Sequence, residues 1–330
     1  MELERTSAKW DVPFSKAVLD FTLPFGQSFI FSADRARVTY LEGESLGLFA
    51  TVEASSSVIA DVPPHDLLSN DEKNALEERI GRLYLRCWQD DALRLRAILL
   101  EKPWIGFDLD DTLHEFRRAS SKATDTVMAG ISEQHGIPVL ALKEEYSKVL
   151  RMKTANAFSD GKTSFDYRKE RFCSVLEHFS LPHDTQFMSR LLESYESTII
   201  ASLELKCGAL GLLSTVKNLG KKIVVITEGP QDAQERTVDA LGIGGYIDFL
   251  ATTNHFRVSK ADGLFAKVIQ HLGISSCDIA YIGDSEQRDM KPAMADGIFS
   301  IHLAEAKNVS LNSFPPQINT LRKLQYILFG

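Results

Sequence analysis

From Gly208 onward the chain alternates short apolar runs with amphipathic stretches of helical period. The apolar runs at 222–227, 248–252, 278–283 and 298–302 are each short enough to be a buried strand. Between them lie helical patterns over about 210–219, 231–241, 262–272 and 289–296, the first and third closed by Gly220 and Gly273. Strands alternating with helices predict βαβ units and a mainly parallel sheet. One more strand of this type stands far upstream, Trp104-Ile105-Gly106-Phe107 behind Pro103. A polar–apolar region with few strand signals, about 117–205, separates it from the rest. Breaks at Gly136-Ile137-Pro138, Ser159-Asp160-Gly161 and Leu181-Pro182 divide that region into about four helices.

Upstream of the first strand, Ser69 followed by Glu72 is a capping-box start. Leu76, Ile80, Leu83, Tyr84, Cys87, Leu95 and Ile98 then recur at helical spacing and predict a helix over about 71–100. Residues 1–68 hold three strand-like runs, at 21–31, 37–41 and 46–52, separated by turn residues. They predict a small β-rich module whose aromatic residues form its core. The tail carries Pro315-Pro316 and a helical pattern over about 317–328. The fold class is α/β: a mainly parallel sheet with an inserted helical domain and a small β-rich N-terminal region.

With 330 residues, 44% of them hydrophobic, the chain can bury a full core and fill more than one domain. A net charge of −8 and a pI near 5.6 give no footprint for a nucleic-acid partner. An acidic protein that handles an anion must concentrate positive charge locally. The cysteines Cys87, Cys173, Cys207 and Cys277 form no C-x-x-C pair and read as buried thiols of a reducing compartment. No apolar leader and no run of membrane-spanning length is present, which predicts a cytoplasmic protein with no membrane partner.

The chemistry sits where the strands end. The first strand delivers Asp108 and Asp110 into a loop, and clustered like charges repel unless a cation or phosphate chemistry uses them. The same residues also compose an ordinary acidic turn. The next strand ends in Thr227-Glu228-Gly229, a later loop carries Lys260, and another strand ends in Gly283-Asp284-Ser285-Glu286-Gln287-Arg288-Asp289. In a parallel sheet all these ends lie on one edge and can converge. One aspartate can attack phosphorus while a second protonates the leaving alcohol and later activates water. Asp108 and Asp284 offer hard oxygens suited to Mg²⁺. The Thr227 hydroxyl and backbone N–H groups suit phosphoryl oxygens, and Lys260 offsets negative charge in the transition state.

Together, D-x-D-x-T at 108–112, the strand-end Thr227, Lys260 and G-D-S-x-x-x-D at 283–289, in that order, resemble the haloacid dehalogenase superfamily. The resemblance covers about residues 100–305. It implies a Rossmann-like core at 101–116 and 206–330 and a type-1 helical cap at 117–205, with the helix at 69–100 linking the N-terminal module at 1–68 to it. It also implies a Mg²⁺-dependent phosphatase acting on a small phosphorylated substrate. Position by position, Asp108 matches the nucleophile and Asp110 the acid/base, while the Asp110 carbonyl, Asp108, Asp284 and Asp289 match the metal ligands. Leu109, Thr227, Glu228 and Lys260 fall at the phosphate. Two departures stand out: Glu228 replaces the asparagine of many relatives, and Ala261 the usual proline after the lysine. The pattern is most similar to cap-bearing nucleotide and sugar-phosphate phosphatases, N-acylneuraminate-9-phosphatase-like enzymes among them.

Other readings share these motifs. A phosphomutase uses the same core, Asp108-Leu109-Asp110-Asp111 spells the D-x-D-D of protonating terpene cyclases, and a scaffold protein could keep an inherited core. A prenyl phosphate or diphosphate therefore joins sugar phosphates and nucleotides as a candidate substrate. Dehalogenation is disfavoured, because halide-displacing relatives lack the acid at Asp110. In the cap, Arg168 and Arg171 lie three apart and share a helix face. They either clamp an anionic group of the substrate or pair with Asp166, Glu170 or Glu177. Glu286 and Arg288 read as exposed loop residues.

Overall fold

The computed structural model describes residues 89–154, 158–305 and 309–329, and strand backbone at β1 (Thr6–Thr22), β2 (Ser28–Leu41), β3 (Phe49–Val52) and β4 (Val58–Ile59). Two units divide the chain, 1–98 with 308–317 and 99–307 with 318–330. In the first, β1 to β4 pair antiparallel in sequence order. The expected strands at 21–31 and 46–52 lie partly outside the described residues, as do residues 71–88 of the expected helix; its described part, α1, runs 89–101.

A second sheet, of which all but Gln317 belongs to the second unit, is made of β5 (Trp104–Phe107), β6 (Lys222–Thr227), β7 (Phe249–Thr252), β8 (Ile279–Gly283), β9 (Phe299–Leu303) and β10 (Gln317–Ile318), in the order β10-β9-β8-β5-β6-β7. Strands β5 to β9 pair in parallel. Every residue of β5 and β8 is buried, as expected of strands covered on both faces. On one face Val224, Ile226, Ile279 and Tyr281 pack with Leu264, Phe265 and Val268 of helix α9 (Leu264–Leu272). Gly106 makes room for this layer: a Cβ there would sit 2.9 Å from Tyr281 Cδ2.

Register places the strand ends together. Phe107 lies opposite Val225 on one side and Ile282 on the other. The Asp108 N–H continues that ladder to the Ile282 carbonyl at 2.9 Å. Asp108, Thr227 and Asp284 therefore emerge at one edge of the sheet.

Between β5 and β6 the chain makes α2 (Phe116–His135), α3 (Val139–Thr154), α4 (Ser164–His178) and α5 (Thr185–Ala201). Local signals set their ends. Gly136 stops α2 at φ 71°, α4 opens on a Thr163/Asp166 capping box, and Asp184 caps the Gln186 and Phe187 N–H groups of α5. These helices share a core of their own, including Met128, Ile131, Phe172, Leu191 and Tyr195. Where the chain leaves for these helices and returns, its two linkers pair: Glu115 N–H donates to Glu204 O and Lys206 N–H to Leu113 O, each at 2.9 Å.

The remaining helices are α6 (Ala209–Asn218), α7 (Gln231–Ala240), α8 (Thr253–Phe256), α10 (Lys291–Ala295) and α11 (Leu321–Phe329). Two expectations need correction. The tail helix begins only at Leu321, because β10 precedes it and the Ile318 carbonyl accepts the Ala304 N–H at 2.8 Å. Cys207 and Cys277 are exposed rather than buried, Cys173 is half-buried, and all three are free; Cys87 lies outside the described residues. Among those residues no helix is long and apolar enough to cross a membrane.

Candidate active site

Asp108, the first residue beyond β5, is only 5% exposed. Lys260 reaches it from the loop after α8, with Nζ 2.6 Å from Asp108 Oδ1. The same ammonium donates to Asp289 Oδ1 at 2.5 Å and to the Tyr281 hydroxyl at 2.9 Å, so its three protons meet three acceptors. Burial alone would lower the Lys260 pKa, but the charges of Asp108 and Asp289 reverse that and hold the ammonium firmly protonated. Burial pushes the Asp108 carboxyl well above the usual carboxylate range; Lys260 opposes this while Asp289 and Asp110 add to it. The Tyr281 phenol is raised by burial and then by Asp289, so it stays neutral and donates.

Asp289 is turned inward by a single π-helical turn, Glu286–Met290, a feature frequent at functional sites. Its Oδ2 accepts the Ser285 N–H at 2.9 Å. The close approach requires Gly283, where a Cβ would lie 2.6 Å from Asp289 Cγ. Asp284 bonds Arg117 at 3.2 Å, and its carbonyl contacts His302 Nε2 at 2.9 Å. Burial and Asp289 raise the Asp284 carboxyl, with Arg117 opposing. Asp108, Asp284 and Asp289 each place an oxygen within 4.8 Å of the others, so hard donors and excess negative charge fit a small divalent cation. Both Asp289 oxygens already carry hydrogen bonds, unlike those of an open ligand.

Asp110 is held from two sides. Its Oδ1 lies 2.9 Å from Nε2 of fully buried His114, and its Oδ2 accepts from Gln234 Nε2 at 3.3 Å. The His114 Nδ1 is buried without a partner, so the tautomer that satisfies the contact carries its proton on Nε2. Gly229 makes the second contact possible, since a Cβ there would lie 2.4 Å from Gln234 Nε2 (closer than any real contact).

At the end of β6, Thr227 is fully buried and its Oγ1 has no hydrogen-bond partner. A buried hydroxyl in that state is free to bond a ligand that enters the site. The Glu228 carboxylate accepts the Lys260 backbone N–H at 3.1 Å, fastening the lysine loop. Leu109 is buried and offers the site only its backbone. Asp111, at φ 62°, accepts the Arg117 N–H at 3.0 Å and shapes the turn.

A cavity of about 830 Å³ joins this edge to the inserted helices; its wall includes Asp108, Asp110, Thr227, Lys260, Arg168 and Arg171. Arg168 bonds Glu196 of α5 rather than any of the three acids expected, and lies 4.6 Å above the Tyr195 ring. Asp166 instead caps Thr163, and Glu170 takes Lys162 at 2.9 Å. Glu196 also accepts from Arg236 Nε of α7 at 2.6 Å. Arg236 bonds Asp232 at 3.0 Å and Ser164 Oγ at 2.7 Å, and Asp232 accepts the Ser164 N–H at 2.9 Å. This network ties α4 and α5 to the sheet domain. His114, Gln234, Tyr281, Glu196 and Arg236 were not singled out by sequence reasoning. Only Tyr281 carried a signal, because a tyrosine inside a fully buried strand needs a partner for its hydroxyl.

Residues 105–303 match the family of haloacid dehalogenase-like hydrolases. The glyceraldehyde 3-phosphate phosphatase of Methanocaldococcus jannaschii is 24% identical over 230 residues, 67% of this chain and 93% of its own. That of Pyrococcus abyssi is 24% identical over 198 residues, 60% and 79% of the two chains. Among solved structures, the HAD-hydrolase YfnB of Bacillus subtilis, bound to magnesium, gives a TM-score of 0.53 at 20% identity, over 70% of this chain and 100% of its own. A 2-haloacid dehalogenase of Pseudomonas syringae pv. tomato gives 0.53 at 22%, over 69% and 98%. At that identity the structures show the shared fold.

Proposed function

This chain belongs to the haloacid dehalogenase-like hydrolases, and from that premise we propose that it is a phosphatase: a Mg²⁺-dependent phosphomonoester hydrolase working through an aspartyl-phosphate on Asp108. The observation that carries the reading is the grouping at one sheet edge of Asp108, its lysine, a held second aspartate and the unpartnered Thr227 hydroxyl. The substrate class is a small sugar phosphate, as the names of the curated relatives suggest. Neighbours of the same fold include dehalogenases, and Asp110 separates the chemistries: an alcohol leaving group needs a proton, whereas a halide does not.

In the first step Asp108 Oδ forms a bond to phosphorus as the ester P–O bond breaks, and Asp110 gives its proton to the leaving alkoxide. In the second, Asp110 takes a proton from water, whose oxygen attacks phosphorus and releases Asp108 and inorganic phosphate. Thr227 Oγ1 and the backbone N–H groups of Leu109 and Glu228 bind phosphoryl oxygens, and Lys260 balances their charge. Mg²⁺ would be held by Asp108, Asp284, Asp289 and the Asp110 carbonyl, and would supply charge neutralisation. Residues 117–205 act as the cap over the core at 101–116 and 206–330. The free cysteines suit a cytoplasmic setting.

The test is phosphate release from p-nitrophenyl phosphate and glyceraldehyde 3-phosphate with Mg²⁺, together with acid-quench trapping of phosphoprotein. Turnover with a trapped, hydroxylamine-sensitive phosphoryl group is expected from wild type and not from Asp108→Asn. Turnover that survives in Asp108→Asn removes the covalent route.

A further inference from the structure

We infer that the substrate carries a second anionic group remote from the scissile ester, and that Arg171 of the cap receives it. The inference rests on the phosphatase reading and deepens it. Four charged groups where cap and core meet balance one another, Arg168 and Arg236 against Glu196 and Asp232. Arg171 stands outside that balance. It lines the cavity three residues beyond Arg168, and among the described residues no carboxylate comes within 4.0 Å of its guanidinium. Its Nε is buried with no partner. Its neighbour is the Tyr146 hydroxyl, which burial and Tyr195 raise although Arg171 pulls the other way. A neutral phenol gives no counter-charge, and arginine cannot shed its own.

A guanidinium in a cavity wall without an anion lacks the partner that its chemistry favours, and its planar fork matches a carboxylate or phosphate bidentately. The other cavity arginines differ. Arg117 pairs with Asp111 and Asp284, Arg288 stands near Glu228, and Arg257 is exposed, where water satisfies it. Room is ample: about 830 Å³ falls in the upper part of the range of pockets that enclose drug-sized ligands. A substrate with its ester phosphate at Asp108, Thr227 and Lys260 and an acid at Arg171 is held by core and cap residues of one cavity wall.

Matched phosphate esters decide it: 3-phosphoglycerate against glycerol 3-phosphate, 6-phosphogluconate against glucose 6-phosphate, and fructose 1,6-bisphosphate against fructose 6-phosphate. Wild type should favour the more anionic member of at least one pair by about tenfold or more in kcat/KM. Arg171→Gln should erase most of that ratio and Arg171→Lys should retain part of it. The responding pair tells a carboxylate from a second phosphate. A wild type without preference in any pair overturns the inference, and so does an Arg171→Gln that slows both members equally. If neither these esters nor p-nitrophenyl phosphate is hydrolysed with Mg²⁺, the phosphatase reading itself falls.

Discussion

Lys260 shares one ammonium between carboxylates from two different strand ends, 2.6 Å from Asp108 and 2.5 Å from Asp289. All three side chains are buried, so little water reaches either acid to offset its charge. The lysine therefore fixes the position of Asp108 and keeps the two acids from repelling.

Removing it should damage both chemistry and fold. Lys260→Met leaves two buried carboxylates facing each other, a loss of about 3–5 kcal/mol of stability for a broken buried pair. Turnover should fall by about 100-fold or more, as when an oxyanion partner is lost. Urea unfolding and steady-state kinetics check the two effects. A variant as stable and as active as wild type would show that this contact is incidental.

Chelation offers the second test. Asp108, Asp284 and Asp289 crowd within 4.8 Å, more negative charge than one lysine balances. EDTA should silence hydrolysis, Mg²⁺ should restore it, and the larger Ca²⁺ should inhibit. Mg²⁺ should also raise the wild-type Tm, less so in Asp284→Asn, since a ligand that binds only the folded state stabilises it. Full activity after thorough chelation refutes the metal requirement.

The third expectation concerns His114, which holds Asp110 at 2.9 Å from a fully buried position. If Asp110 is the acid/base proposed above, His114→Ala should lower kcat by about tenfold or more while KM changes little, because Asp110 loses its orientation rather than its charge. His114→Gln, whose amide can donate to the same oxygen, should recover part of the loss. If both variants match wild type, the histidine only fills space.

A fourth expectation rests on Asp232. Burial raises its carboxyl, but hydrogen bonds from Ser164 and the charge of Arg236 outweigh that and hold it below the ordinary range. A depressed folded-state pKa contributes stability that is complete above the unfolded value, about 3.9, and is lost as pH falls through the folded value. Wild type should thus exceed Asp232→Asn in Tm by a constant margin from neutral pH down to about pH 5, with the gap closing in stronger acid. A gap that closes only in the alkaline range contradicts the assignment.

The sheet was readable because burial on both faces leaves a strand almost wholly apolar, as 222–227 and 278–283 are. The breaks at Gly136, Gly161 and Pro182 were readable because each residue carries its own backbone preference. Asp108, Lys260 and Asp284 converge because register in a parallel sheet brings strand ends together. His114 and the Arg236–Glu196 bridge stayed hidden, since nothing local marks a histidine for an aspartate four residues back. Nor does anything local mark an arginine for a glutamate 40 residues away. The tail shows the same limit: a helical period continued through Gln317–Ile318, and an edge pairing took those residues instead.

Because Glu115 and Glu204 meet across a 2.9 Å backbone hydrogen bond, the excursion through α2 to α5 starts and finishes at one point on the core surface. It is a detour, with an interior of its own that borrows nothing from the strands it interrupts. The interior of that excursion and the core of the sheet are thus written on separable lengths of chain, and mutation can repack one while the other stands.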